Sequence, residues 1–109
     1  MAKILLTGIG ASPGYVEGTA RLFHSGDELL SFHDGDILVT IITDPTMVTA
    51  MVKASAIITD IGGITSHPAI LSREMGIPCI VNTKEATKII RDGMHISVDG
   101  QKGEIYVLD

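Results

Sequence analysis

The sequence predicts an α/β fold in which a β layer is laid against a β/α unit, and three observations carry that prediction. Short runs rich in β-branched residues, bounded by Gly, Asp or Asn, recur along its 109 residues. The first two follow one another with no helical pattern between them. From Asp36 onward, strand-like runs alternate with stretches of helical character.

The strand-like runs are Ile4 to Thr7, Thr19 to Phe23, Asp36 to Ile42, Ala56 to Thr59, Cys79 to Val81, His95 to Val98 and Glu104 to Leu108. Ahead of the fourth, Asp44 offers an N-cap and Pro45 a first helical position, and Met47, Val48, Met51 and Val52 then make one apolar stripe at helical spacing. A second helix follows His67 and is closed by Gly76; a third runs from about Lys84 to Arg91 and stops at Gly93. Asp99-Gly100-Gln101-Lys102-Gly103 joins the last two strands as a hairpin. No repeat or linker interrupts the pattern, so residues 1–109 read as one domain whose boundaries are those of the chain.

Composition bounds the function. Apolar residues make up 45% and charged residues 19%, which suits an ordered unit with a modest core. A net charge of −5, with basic residues scattered, argues against nucleic acid or an anionic membrane as the partner. No window approaches the roughly 18 to 20 apolar residues of a membrane span, and Ile4-Leu5-Leu6 reaches Gly8 too soon for a secretory leader. The single cysteine, Cys79, excludes an internal disulfide. It sits in an apolar run without a basic neighbour, reads as a small buried residue rather than a reactive thiol, and gives a cytoplasmic address.

Two glycine patterns are set aside. Gly8, Gly10 and Gly14 after Ile4-Leu5-Leu6 imitate a dinucleotide-binding turn, but Pro13 and the β-like run through Phe23 leave no helix to follow it. Gly62-Gly63-Ile64-Thr65-Ser66-His67 is no P-loop, because the lysine is missing. His24, His33 and His95 lack ligand spacing, and Asp27, Glu28, Asp34 and Asp36 read as solvated turns rather than a calcium loop.

The chemistry gathers in the run from Gly62 to Pro78. It follows an apolar strand, turns on Gly62 and Gly63, presents Thr65, Ser66 and His67, and enters a helix. The first turn of a helix leaves backbone N–H groups free and carries partial positive charge, so an anion there is stabilised. Neutral imidazole is a competent nucleophile near neutral pH. His67 is thus placed to accept a phosphoryl group, with Thr65 and Ser66 to orient the ring and contact the oxyanion. Taken alone, a surface histidine capping a helix and two turn hydroxyls fit the same residues. Pro68 favours the first helical position, which makes His67 the N-cap and leaves Ala69 and Ile70 as the amides for the anion. Arg73, six residues on, points to another helical face and reads as a surface salt bridge or a partner contact. Met47 and Met51 read as core.

This run resembles the phosphohistidine signature of the phosphoenolpyruvate-utilising enzymes, among them pyruvate,water dikinase (phosphoenolpyruvate synthase), pyruvate,phosphate dikinase and enzyme I of the sugar phosphotransferase system. Gly10-Ala11-Ser12-Pro13-Gly14 with Gly18-Thr19-Ala20-Arg21, Asp44-Pro45-Thr46, and Gly93 with Val98-Asp99-Gly100 and Gly103 resemble other parts of that family's mobile domain in order. Arg73-Glu74-Met75-Gly76-Ile77-Pro78 looks most like the synthase branch. The resemblance implies a swivelling β/β/α domain of three layers. It implies that His67 is phosphorylated at Nε2, that Thr46 offers a hydroxyl to the unphosphorylated imidazole, and that Thr65 sits where some relatives carry a regulatory threonine; the missing Cβ of Gly62 and Gly63 lets backbone amides approach a phosphate there, beside that of Ala69. Pro68 departs from the pattern, in which a non-proline residue follows the histidine.

The implied function is a phosphoryl carrier, incomplete as a catalyst alone, that relays the group between an ATP-binding and a pyruvate/phosphoenolpyruvate-binding partner. ATP, phosphoenolpyruvate and Mg2+ belong to those partners, and no metal is expected here. The alternatives are the histidine module of an antibiotic phosphotransferase or enzyme I-like system, and a non-catalytic interaction domain that has kept the fold.

Overall fold

The computed structural model describes residues 3–23 and 32–108. His24, Asp27 and Glu28 lie outside the described residues. The chain forms β1 (Lys3–Thr7), β2 (Ile9–Ser12), β3 (Tyr15–Phe23), β4 (Ile37–Thr40), a 3-10 turn (Pro45–Met47) leading into α1 (Val48–Lys53), β5 (Ala56–Thr59), α2 (His67–Met75), β6 (Cys79–Val81), α3 (Ala86–Ile89), β7 (His95–Asp99) and β8 (Glu104–Val107). The strands are hydrogen-bonded in the order β1-β8-β7-β3-β4-β5-β6-β2.

The long strand β3 divides this sheet into two layers. Its first part, Tyr15 to Thr19, pairs antiparallel with β7, and its second part, Ala20 to Phe23, pairs parallel with β4. β4, β5 and β6 continue the parallel run, while β7, β8 and β1 form the antiparallel layer.

Side-chain alternation shows which layer lies in the middle. Ile37 and Val39 of β4, Ala56 and Ile58 of β5, and Ile80 of β6 pack in one core with Ile96, Val98 and Ile105 of the antiparallel layer. Their neighbours Leu38, Ile57, Cys79 and Val81 face a second core with Met47, Ala50 and Met51 around α1 and Ala69 of α2. The parallel layer is therefore buried on both faces, which is why its strands are unbroken apolar runs. The predicted α/β fold of three layers, β/β/α, is the one observed.

Several elements differ from the sequence expectation. β2 was not anticipated, β3 begins four residues earlier than expected, and the run from Asp36 to Ile42 is strand only from Ile37 to Thr40. Of the stripe expected to bury together, Met47 and Met51 are core, whereas Val48 and Val52 are exposed; the short helix buries Ala50 in their place. Asp36 is not a solvated turn residue. It is buried, accepts from the Arg21 Nε–H at 3.0 Å and caps the His33 amide at 3.0 Å.

The N-terminal glycines that imitate a nucleotide motif serve close packing. The β1–β2 corner lies against the hairpin between β7 and β8, with the Gly8 amide donating to the Gly103 carbonyl at 2.9 Å. A Cβ on Gly100 would collide with the Ser12 carbonyl oxygen and stand 3.0 Å from Pro78 Cβ. Gly100→Ala is accordingly expected to destabilise the chain by about 3 kcal/mol or more, read from the urea midpoint, because backbone rather than a flexible side chain must give way.

Candidate functional site

The parallel strands deliver the site to one edge. Thr40 and Thr59, paired in register as the last residues of β4 and β5, are both buried, and each hydroxyl donates to the carbonyl two residues on, Ile42 and Ile61, at 3.3 and 2.7 Å. Such i to i+2 bonds turn a chain out of a ladder. The segments that follow carry Thr43 and His67, so both arrive at the C-terminal edge of the sheet, the usual place for a ligand site in α/β proteins.

The loop before α2 is pinned at several points. Asp60 is buried, accepts from the Thr87 amide at 2.9 Å and hydroxyl at 2.5 Å, and donates its amide to the Thr40 carbonyl. Gly62 has φ +118, a conformation that only glycine adopts without strain. Gly63 has open space where a Cβ would stand and is not in the positive-φ region. Its carbonyl accepts both the amide (3.0 Å) and the hydroxyl (2.7 Å) of Ser66. Arg73 makes no salt bridge among the described residues. Its guanidinium spans two backbone carbonyls, Ala11 and Ile64, each at 2.7 Å, and so ties α2 to β2 and to this loop.

The start of α2 also differs from expectation. The first helical bond runs from the Ile70 amide to the Ser66 carbonyl at 3.0 Å, so Ser66 is the N-cap, His67 the first helical residue and Pro68 the second. The Ser66 hydroxyl makes no cap bond, being bonded to Gly63 instead, and proline is tolerated in the first turn because its missing N–H would have had no partner. The amide of Ile70 is committed to that bond. Among the described residues, those of His67 and Ala69 make no backbone hydrogen bond. Gly76 closes the helix at φ +73, with the Ile77 amide on the Ser72 carbonyl at 3.0 Å.

His67 is exposed. Its Nδ1 lies 3.2 Å from the Thr43 hydroxyl, and Nε2 has no hydrogen bond among the described residues. The hydroxyl beside the imidazole is thus that of Thr43, not Thr46. Thr46 points away: its hydroxyl and amide both donate to the Asp44 carboxylate, the amide at 2.7 Å. These bonds hold the Asp44 carboxyl below the usual carboxylate range, the hydroxyl being the larger cause, so Asp44 is anionic. Thr43, Asp44, Pro45, Val48 and His67 line a cavity of about 330 Å3. Thr65 is exposed, and Ser66 is turned toward Gly63. Sequence reading missed Thr43, although its place after a buried strand and before a capping Asp-Pro pair is a usable signal.

Cys79 is fully buried, and burial pushes its thiol up to about 11. Among the described residues, no three His, Cys, Asp or Glu side chains cluster as a metal site, and no helix is long and apolar enough to cross a membrane.

Residues 32–103 match the family model described as PEP-utilising enzyme, mobile domain. A probable phosphoenolpyruvate synthase of Archaeoglobus fulgidus is 54% identical over 104 residues, 95% of this chain and 14% of the relative. The phosphoenolpyruvate synthase of Pyrococcus furiosus is 52% identical over 105 residues, 96% of this chain and 13% of the relative. The chain thus spans a small part of the length of these curated relatives. Among solved structures, a solution structure of Enzyme I superposes with a TM-score of 0.59 at 28% identity, covering 68% of this chain and 31% of the other.

Removing the guanidinium bridge tests how the loop is held. Arg73→Ala should raise amide exchange through residues 62–66 and cost about 1–3 kcal/mol in denaturant unfolding, since two charge-assisted bonds are lost. Arg73→Lys should recover only part of this, because an ammonium lacks the fork that reaches both carbonyls.

Proposed function

Because this chain belongs to the mobile-domain family of the PEP-utilising enzymes, we propose that it is a phosphoryl carrier, loaded and unloaded at Nε2 of His67. One observation carries the reading: an exposed imidazole at the start of α2 rests one nitrogen on a buried threonine and leaves the other without a protein partner among the described residues.

The chemistry follows from that arrangement. With Nδ1–H donating to Thr43 Oγ1, Nε2 carries the lone pair and is the nucleophile. It attacks phosphorus, the N–P bond forms as the donor's P–O bond breaks, and the departing oxygen keeps the electron pair. The ring gains positive charge as this happens, and Thr43 stabilises it by accepting from Nδ1–H. Unloading is the reverse, onto an acceptor oxygen. The free amide of His67 stands at the helix N-terminus, where a developing anion is stabilised, with Thr65 as a further donor; Ala69, expected from the sequence to contact phosphate, is fully buried. Gly62 shapes the loop that presents them, Ser66 closes it, and Thr46 acts through Asp44 rather than on phosphate.

The residues beside His67 do not suit a nucleotide or a resident metal: the cavity offers one carboxylate and neither lysine nor arginine. ATP, phosphoenolpyruvate and Mg2+ are therefore assigned to ATP-binding and pyruvate/phosphoenolpyruvate-binding partners, as in a synthase-like system of the cytoplasm. What the chain supplies is a positioned nitrogen, the main requirement of in-line phosphoryl transfer.

Exposure to phosphoramidate, followed by intact mass under alkaline conditions, should show the gain of one phosphoryl group, abolished in His67→Ala. No gain in the unsubstituted chain would overturn the reading. Thr43→Val should slow loading about fivefold, the worth of one ordinary hydrogen bond, and shift the ring proton from Nδ1 in 15N spectra, with Thr43→Ser restoring both. Pro68→Ala adds one amide to the first turn and should lengthen the half-life of the phosphorylated form.

A further inference from the structure

The antiparallel layer turns one face to the core and the other away from it. Ile96, Val98 and Ile105 point inward, so the residues between them face out. Two rows cross that outer face: Glu17, Ser97 and Tyr106 are register partners, and so are Tyr15, Asp99 and Glu104. The block lies on the opposite side of the β/β/α sandwich from α2 and His67. Tyr15 donates its hydroxyl to Glu17 Oε2 at 3.1 Å, and Tyr106 donates to Glu104 Oε1. Asp99 Oδ1 accepts the amides of Gln101 and Lys102 at 3.1 and 3.0 Å. Each carboxylate thus has one oxygen engaged and a second with no hydrogen bond among the described residues.

Three carboxylates alone would be a solvated patch. Ser97 distinguishes this one. It is fully buried in the middle of its row, on the same face, yet its hydroxyl has no hydrogen-bond partner among the described residues. A buried hydroxyl left unpaired costs stability, and native structures rarely leave one so. Nor is the charge answered, since no Lys, Arg or His makes a salt bridge to Glu17, Asp99 or Glu104 among the described residues. The same crowding raises the pKa of the Tyr106 hydroxyl, through the Glu104 hydrogen bond first, then burial and the neighbouring charge of Glu104, Asp99 and Tyr15.

Charge and shape identify the occupant. Among the described residues no three His, Cys, Asp or Glu side chains cluster as a metal site, and two tyrosine rings suit an organic cation. An ammonium offers three N–H groups from one point, whereas a guanidinium offers five in a plane that stacks on a ring. A second copy of the chain would set acid against acid. We infer that an arginine side chain, from an adjoining segment of a longer synthase-like polypeptide, seats on this face with its N–H groups on the spare carboxylate oxygens and Ser97 Oγ and its plane against a tyrosine ring. The topology brings such a segment near. Lys3 is paired with Val107 and Ile4 with Tyr106, so both ends of the described chain lie beside the block. In the relatives, of which this chain matches 14% and 13%, the rest of the polypeptide joins the matched segment at those ends. The assignment is independent of what His67 carries.

The chain has no tryptophan, and Tyr15 and Tyr106 are its two tyrosines, so tyrosine emission reads this face alone. Titrating the 109-residue chain with acetyl-Gly-Arg-Gly-amide should change that emission saturably. The lysine counterpart should bind about fivefold more weakly. Glu104→Gln should weaken the arginine peptide about fivefold, the worth of one charge-assisted bond. Ser97→Ala should weaken it about threefold yet leave the urea midpoint of the free chain no lower, because the hydroxyl it removes has no partner to lose. In the Pyrococcus furiosus synthase carrying this chain in place of the segment it matches, tetranitromethane should nitrate Tyr15 and Tyr106 more slowly than in the free chain. Equal nitration, no saturable response to the arginine peptide, or equal binding of the lysine peptide overturns the inference. Displacement of the peptide by magnesium chloride, but not by sodium chloride of equal ionic strength, makes the face a metal site and overturns it. Tighter binding of free arginine than of the peptide makes it a small-molecule site and overturns it too.

Discussion

Burial of the parallel layer on both faces is the constraint from which the rest of the structure follows. Ile57, Ile58, Ile80 and Val81 are fully buried, and each such side chain contributes about 1.5–3 kcal/mol when taken from water. A layer covered on both sides must send its connections over its ends. The crossovers through α1 and α2 lie on one face, so the exits of β4 and β5 open at the same edge, and the loops bearing Thr43 and His67 meet there. The same burial fixes the threonine pair at the strand ends, whose hydroxyls turn both segments outward.

The site divides its work between rigid and open parts. Asp60, Gly62, Ser66 and Arg73 hold a loop by backbone contacts and touch no reacting atom. His67 is exposed, with Nδ1 beside the Thr43 hydroxyl and Nε2 without a hydrogen bond among the described residues. The cavity beside it is lined by one carboxylate, Asp44, and by neither lysine nor arginine.

Much of this was legible in the residues, and the gaps have physical causes. β5 and β6 have the bounds expected, because continuous β-branched runs between turn residues leave little choice. β2 escaped because Ile9-Gly10-Ala11-Ser12 has small residues and no apolar alternation; it is a strand only because it pairs with β6, a long-range contact. Ile41 and Ile42 extend an apolar run, and hydropathy alone assigns them to the core. Their exposure follows from pairing that ends at Thr40 and Thr59. At the site, the nucleophile loop was readable from local pattern, whereas the Thr43 contact joins residues 24 apart and the Arg73 bridge reaches across 62. Helix periodicity sets Arg73 apart from His67 but takes no account of how far a long side chain reaches, so its two carbonyl partners, Ala11 and Ile64, were not foreseen.

The two outermost strands carry a further consequence of the topology. β1 and β2 stand at opposite ends of the strand order yet are joined through Gly8, and both are short, with register irregularities at Ile4/Leu6 and Gly10/Ser12. Bulged, abbreviated borders make poor templates for adding a foreign strand.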